Sequence, residues 1–154
     1  MDAKPKDEAA AGYQLHSLIV QAYYANLDIL RDYIGRIAEN CGMSAKDIYG
    51  VQLAVDEACT NIIEHAYGGE CDKSIELYCE VTPEALIIRL HDHGEPFNPL
   101  EVAQPNFEAP IEERDNGGLG LYLMRRLMDE IHFSFNPGEA ISDNTLTMIK
   151  RRKA

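Results

Sequence analysis

At 154 residues the chain is the size of one domain, long enough to bury a sizeable core. The 14 Lys+Arg against 26 Asp+Glu leave a net charge of −12, which repels a phosphate backbone and argues against direct nucleic-acid binding. That charge suits a partner with a basic face, and no window is apolar for long enough to cross a bilayer. Met1 to Gly12 is charged and Ala-rich, without the apolar centre of a signal peptide. Cys41, Cys59, Cys71 and Cys79 form no C-x-x-C pair, so reduced thiols and a cytoplasmic location are expected.

Residues 1–12 read as a frayed arm and 13–154 as a single domain. A first strand is expected from Tyr13 to Val20, with Tyr13, Leu15, Ser17 and Ile19 sharing a face. Leu27, Leu30, Ile34, Ile37 and Cys41 recur every three or four residues, one stripe of an amphipathic helix that Gly42 ends. Ser44-Ala45-Lys46-Asp47 resembles a capping box and opens a second helix. Its stripe is Ile48, Val51, Val55, Ala58 and Ile62, and Gly68-Gly69 breaks it after about Tyr67. Two strands then alternate cleanly, one with Ile75, Leu77, Cys79 and Val81 inward, the other with Leu86, Ile88 and Leu90, joined by Thr82-Pro83-Glu84.

Regularity stops after Gly94. Up to Gly118 the chain carries Pro96, Pro99, Pro105 and Pro110 among many acids, the pattern of a lid, a binding loop or disorder. A third helix is expected from Leu119 to Met128, with Leu119, Leu123 and Leu127 along one side. Strands from Ile131 to Phe135 and Thr145 to Lys150 close the chain around a Pro137-Gly138 turn. The order β-α-α-β-β-lid-α-β-β indicates an α+β sandwich, a mixed and mostly antiparallel sheet with helices on one face.

Three clusters carry candidate chemistry. On the second helix Glu57, Asn61 and either Glu64 or His65 fall on one face, beside the apolar stripe. A carboxylate and an amide at a core boundary suit a hydrated magnesium ion, with Glu57 as a base; a solvated helix face is the plainer alternative. Asp92 ends its strand on the inward face and needs a donor, such as the exocyclic amine of adenine, unless Asp92-x-Gly94 is only a turn. Gly94 would let the backbone approach a flat ring. His91 and His93 point away from Asp92 and lack a third metal ligand. Gly117-Gly118-x-Gly120 precedes an apolar helix, so its first turn offers unpaired N–H groups to phosphate oxygens, or else it is a hinge. No Gly-Lys-Ser/Thr occurs, which excludes a P-loop.

Taken together, Glu57-x-x-x-Asn61, Asp92-x-Gly94-x-x-Phe97 and Gly118-x-Gly120-Leu121 resemble the N box and two glycine boxes of the GHKL ATPases. Within that superfamily, which includes gyrase and histidine-kinase catalytic domains, the chain looks like the anti-sigma-factor serine kinases of the RsbW type. The resemblance spans about Tyr13 to Arg151 and implies a Bergerat fold, with a long ATP lid, that binds ATP with Mg²⁺. By position, Asn61 would hold the metal and Glu57 activate the nucleophile. Asp92 would take the adenine amine, Gly94 and Phe97 would shape the base site, and Gly118, Leu119, Gly120 and Leu121 would line the phosphates, with Thr145 near adenine. The implied reaction is phosphorylation of a serine on an antagonist protein by a kinase that also sequesters a sigma factor. The alternative is an ATP-sensing module that sequesters another partner without transfer. Relatives often dimerise, and an unpaired first strand would permit a homodimer. Where histidine kinases carry Lys three residues after the Asn, this chain has Glu64. Arg114 in the lid is therefore the candidate for the γ-phosphate, or else an exposed partner of Glu112, Glu113 or Asp115.

Overall fold

The structure, a computed structural model, describes residues 12–101, 116–137 and 142–153. Five strands run β1 (Gln14–Ala22), β2 (Cys71–Val81), β3 (Ala85–Asp92), β4 (Glu130–Pro137) and β5 (Ser142–Arg151), with helices α1 (Leu27–Asn40), α2 (Ala45–Asn61) and α3 (Asn116–Leu127). The strands lie in one sheet ordered β1-β2-β3-β5-β4. All four pairings are antiparallel, so the sheet expected to be mixed contains no parallel pair among the described residues. β5 lies between β3 and β4, so the connection from β3 through α3 to β4 crosses over the place that β5 fills.

Helices cover one face. Leu30 and Ile34 of α1, Val51 and Val55 of α2, and Met124 of α3 are fully buried against Ile75, Leu77, Leu86, Ile88, Leu90 and Met148 of the sheet. Each such side chain contributes roughly 1.5–3 kcal/mol by leaving water. α1 ends as expected at Gly42, whose φ of +83° lets Met43 N–H return to the Ala38 carbonyl at 3.1 Å. Ser44 caps α2, its Oγ accepting from the Asp47 backbone N–H at 3.2 Å.

Two details differ from the sequence expectation, in α3 and at the end of α2, and the face that Tyr13, Leu15, Ser17 and Ile19 share along β1 is the open one. In β1 the inward side chains are Leu18, Val20 and Ala22; Leu15 and Ile19 stand 64% and 58% exposed on the open face. α3 starts at Asn116, three residues early, and its buried side is Leu121, Met124 and Met128 instead of the Leu123–Leu127 side, which is half-buried. After Asn61 the second helix widens into a π turn, Ile62–Ala66, closed by Tyr67 N–H on the Ile62 carbonyl at 2.9 Å.

Removing the α2 cap tests this start. Ser44→Ala leaves the Asp47 N–H unpaired and is expected to cost about 1 kcal/mol, a fall of roughly 2–4 °C in melting temperature by circular dichroism.

Candidate functional site

The π turn sets the position of the site. It presents the Ala66 carbonyl to the Glu95 N–H at 2.8 Å, stitching the end of the second helix to the loop that follows β3. Gly94 makes this contact possible: a Cβ there would lie 2.4 Å from Ala66 O and 2.9 Å from the Tyr67 ring. Its missing side chain is thus used against protein backbone, a different job from the expected approach to a flat ring. Tyr67 completes the stitch, donating its hydroxyl to Ser74 O at 2.6 Å and accepting the His93 N–H at 3.0 Å. Burial pushes the Tyr67 hydroxyl up to about 12, so it stays a donor.

Under that stitch lies a narrow, partly open cavity of about 20 Å³. Asn61, Asp92 and Phe97, three of the residues singled out in the sequence, line it together. The rest of the wall is apolar: Ala58, Ile62 and Ala66 from the second helix and its π turn, Phe133 and Leu146 from β4 and β5, and Pro99. That is room for about one water, so a flat ring enters only as the walls move apart. Phe97 is stacked on His65, ring centroids 4.4 Å apart and planes 18° from parallel. His65 therefore stands at the rim of the cavity, while Glu64 turns aside to accept from the Tyr24 hydroxyl at 3.1 Å.

Asp92 is 5% exposed. Its Oδ1 accepts from the Gly94 N–H at 2.9 Å and from Asn144 Nδ2 at 2.8 Å. Burial raises its pKa above the ordinary aspartate range, and these two bonds pull it back in part. Asn144 was not foreseen. It faces Asp92 across the β3–β5 ladder and also donates to Gly94 O at 2.9 Å. An inward polar residue in line with Leu146 and Met148 is the signal that pointed to it, had β5 been started one residue earlier.

Thr145, expected near adenine, is on the wrong side of the sheet. It pairs with His91, and its hydroxyl lies 3.3 Å from both ring nitrogens of that histidine. Successive side chains alternate, so Asn144, Leu146 and Met148 face the helices and Thr145 faces away.

Glu57 is half-buried one turn before Asn61, and its carboxylate rests on α3: a Cβ on Gly120 would meet Glu57 Oε2 at 2.1 Å. The second helix and the glycine box thus touch. Burial, then the nearby Asp56 and Glu64 charges, raise the Glu57 pKa above the usual glutamate range. Gly118 and Leu119 fall in the first turn of α3, where helix N–H groups are unpaired. Leu121 is 3% exposed and packs in the core, so its side chain does not reach the cavity. Its place in the second turn, a result of the early helix start, explains this. Arg114 lies outside the described residues.

The donor set fits a hard cation that arrives with its ligand. One amide oxygen at Asn61 and one carboxylate at Glu57 are oxygen donors, and magnesium keeps waters and phosphate oxygens for its remaining positions. Among the described residues no group of three or more His, Cys, Asp or Glu forms a ready-made cage.

A family model described as the histidine kinase-like ATPase domain matches residues 20–150. The chain belongs to this family. It is 34% identical over 119 residues to the serine-protein kinase RsbW of Bacillus licheniformis, with 74% of each chain covered. Against the RsbW of Halalkalibacterium halodurans it is 31% identical over 121 residues, covering 74% of this chain and 72% of that one. A crystal structure of the RsbU and RsbW domains of a Mycobacterium tuberculosis protein superimposes with a TM-score of 0.62 at 16% identity, over 89% of this chain and 31% of that one. At that identity the likeness is one of fold, the histidine kinase-like α+β sandwich.

The two glycines predict stability losses of different size. Gly94→Ala drives a methyl into backbone and is expected to cost roughly 1–3 kcal/mol in urea denaturation. Gly120→Ala meets only the end of a half-exposed side chain that swings aside, so it should cost less than about 1 kcal/mol.

Proposed function

We propose that this protein is an ATP-dependent serine-protein kinase that phosphorylates an antagonist protein and, in the alternate state, sequesters a sigma factor. The observation that carries the reading is the convergence of Asn61, Asp92 and Phe97 on one apolar cavity, with Glu57 seated against Gly120 beside it. The apolar walls take the adenine ring, Asp92 accepts from its amine, and Phe97, held by His65, closes one side. From there the phosphates run toward the first turn of α3, where Gly118 and Leu119 offer backbone N–H groups and the positive end of the helix dipole.

Transfer needs few protein groups. The serine oxygen forms a bond to the γ-phosphorus as the bond from that phosphorus to the bridging oxygen breaks and ADP leaves. Glu57 takes the hydroxyl proton, and its raised pKa makes it a better base than a surface glutamate. Asn61 would hold Mg²⁺, which neutralises charge on the phosphate oxygens. Arg114 of the lid is assigned to the γ-phosphate on the same reading. ATP and a phosphoacceptor protein make the cytoplasm the setting for this chemistry.

A second copy is proposed to cover the outer face of β1. That strand is an edge of the sheet, and Tyr13, Leu15 and Ile19 expose apolar surface on its open side.

The kinase assignment is tested with labelled ATP and candidate antagonist domains. Label should move to serine with wild-type protein, and Glu57→Ala should cut the rate at least about a hundredfold while ATP still binds. ATP binding without any transfer to serine leaves only the sequestering role. The wild-type rate should rise with pH until Glu57 is ionised, and that midpoint should lie above the ordinary glutamate range because the folded state favours the protonated acid.

A further inference from the structure

The cavity has room for about one water, so a flat ring that enters must displace part of its wall. Most of that wall cannot yield. All but two of the lining residues stand on the second helix, its π turn or strands paired in the sheet. The exceptions are Phe97 and Pro99, on the segment that follows β3. This segment is short and stiff. Pro96 and Pro99 each fix a backbone torsion. Asn98 closes a turn between them and Glu101, its Oδ1 accepting the Leu100 N–H at 2.9 Å and its carbonyl the Glu101 N–H at 3.1 Å. Residues 96–101 therefore move as one piece beyond the point where the Glu95 N–H is anchored on Ala66 O.

Two side chains from other elements fasten that piece. His65, from the π turn, is stacked on Phe97 with ring centroids 4.4 Å apart. Arg125, from α3, donates Nη2 to the Leu100 carbonyl at 2.6 Å. Both residues stand at the surface, so neither is needed to fill the core. We infer that His65 and Arg125 are positioning residues that hold residues 96–101 shut over the cavity, and that their release sets the rate at which a nucleotide base enters. This deepens the nucleotide reading above and rests on it. A ring stack and a charge-assisted hydrogen bond are each strong enough to slow opening several-fold, and they act on opposite ends of the same piece. Arg125 also stands on the helix whose first turn is assigned to the phosphates. Base entry and the phosphate end are thereby tied to one element.

The test follows binding of ATP carrying a fluorescent N-methylanthraniloyl group on its ribose, by stopped flow with magnesium on the full chain. In wild type the observed rate should level off as nucleotide concentration rises, because opening of the piece becomes limiting. His65→Ala and Arg125→Ala should each raise that ceiling about fivefold, the loss of one fastening. The double variant should raise it further. Both positions are exposed, so these variants keep the fold. His65→Phe retains a ring to stack on Phe97 and should hold the ceiling within about twofold of wild type. A wild-type rate that climbs in proportion to concentration up to the fastest measurable rates overturns the inference. So does an unchanged ceiling in the alanine variants, or a ceiling in His65→Phe as high as in His65→Ala. Each of these results leaves nucleotide binding intact, whereas a wild-type chain that binds no adenine nucleotide removes the underlying reading itself.

Discussion

The whole site hangs on a backbone-to-backbone contact between the end of the second helix and the loop after β3. Ala66 O receives the Glu95 N–H at 2.8 Å, and Gly94 sits so close that any side chain would collide with the Ala66 carbonyl. That contact fixes the distance between Asn61, one turn upstream on the helix, and Asp92, two residues upstream on the strand. Without the π turn, the helix would not bring that carbonyl to the loop. A π turn spends one helical hydrogen bond to aim a carbonyl outward, and such turns recur where a helix serves a ligand site. The rigid elements therefore position both polar groups before any ligand arrives, which is the condition for tight, selective binding.

Polar groups at this junction are held at a cost. Asp92 is buried and its ionised form is disfavoured by desolvation, only in part offset by Gly94 and Asn144. Glu57 is likewise raised, first by burial and then by the Asp56 and Glu64 charges. For both acids the folded pKa lies above the unfolded one. Their contribution favours folding most when they are protonated, below the ordinary carboxylate range, and that advantage is lost as pH rises through the folded pKa. The fold thus holds two carboxylates whose ionised form it disfavours, and an unpaired amide oxygen besides. Of these groups Asp92 lines the cavity, whose wall is otherwise Asn61 with Ala, Ile, Leu, Phe and Pro, and strained polar groups of this kind mark sites that a ligand completes.

Much of the fold was legible because apolar spacing reports burial directly. The stripes Leu27–Leu30–Ile34–Ile37 and Val51–Val55–Ala58 have one helical solution each, and Ser44 and Gly42 mark a start and a stop by local chemistry. α3 was harder. From Leu119 to Met128 apolar residues occur almost all round the helix, so period 3.6 admits two buried sides, and packing selected Leu121, Met124 and Met128. In strands the same ambiguity has period two: alternation groups residues by face, but a one-residue shift decides which face is inward. Hence Leu15 and Ile19 point outward, and Asn144 occupies the position by Asp92 that Thr145 was expected to fill. The π turn was not read from the sequence, and one of the hydrogen bonds at its end comes from Glu95, far along the chain.

The same comparison explains how the two halves of the site divide their work. The half described around Asp92 is rigid, apolar and chosen for a flat ring with donors on its edge. None of the residues lining that cavity is Lys or Arg, and the chain as a whole carries −12. A triphosphate entering bare would meet an unfavourable field, and the α3 dipole, equivalent to about half an elementary charge, is too weak to answer it alone. On the proposed reading the compensating positive charge must come with the nucleotide, as its magnesium ion, or from the lid through Arg114. Selectivity for the base then belongs to the fixed strands, and charge neutralisation belongs to parts that assemble around the phosphates.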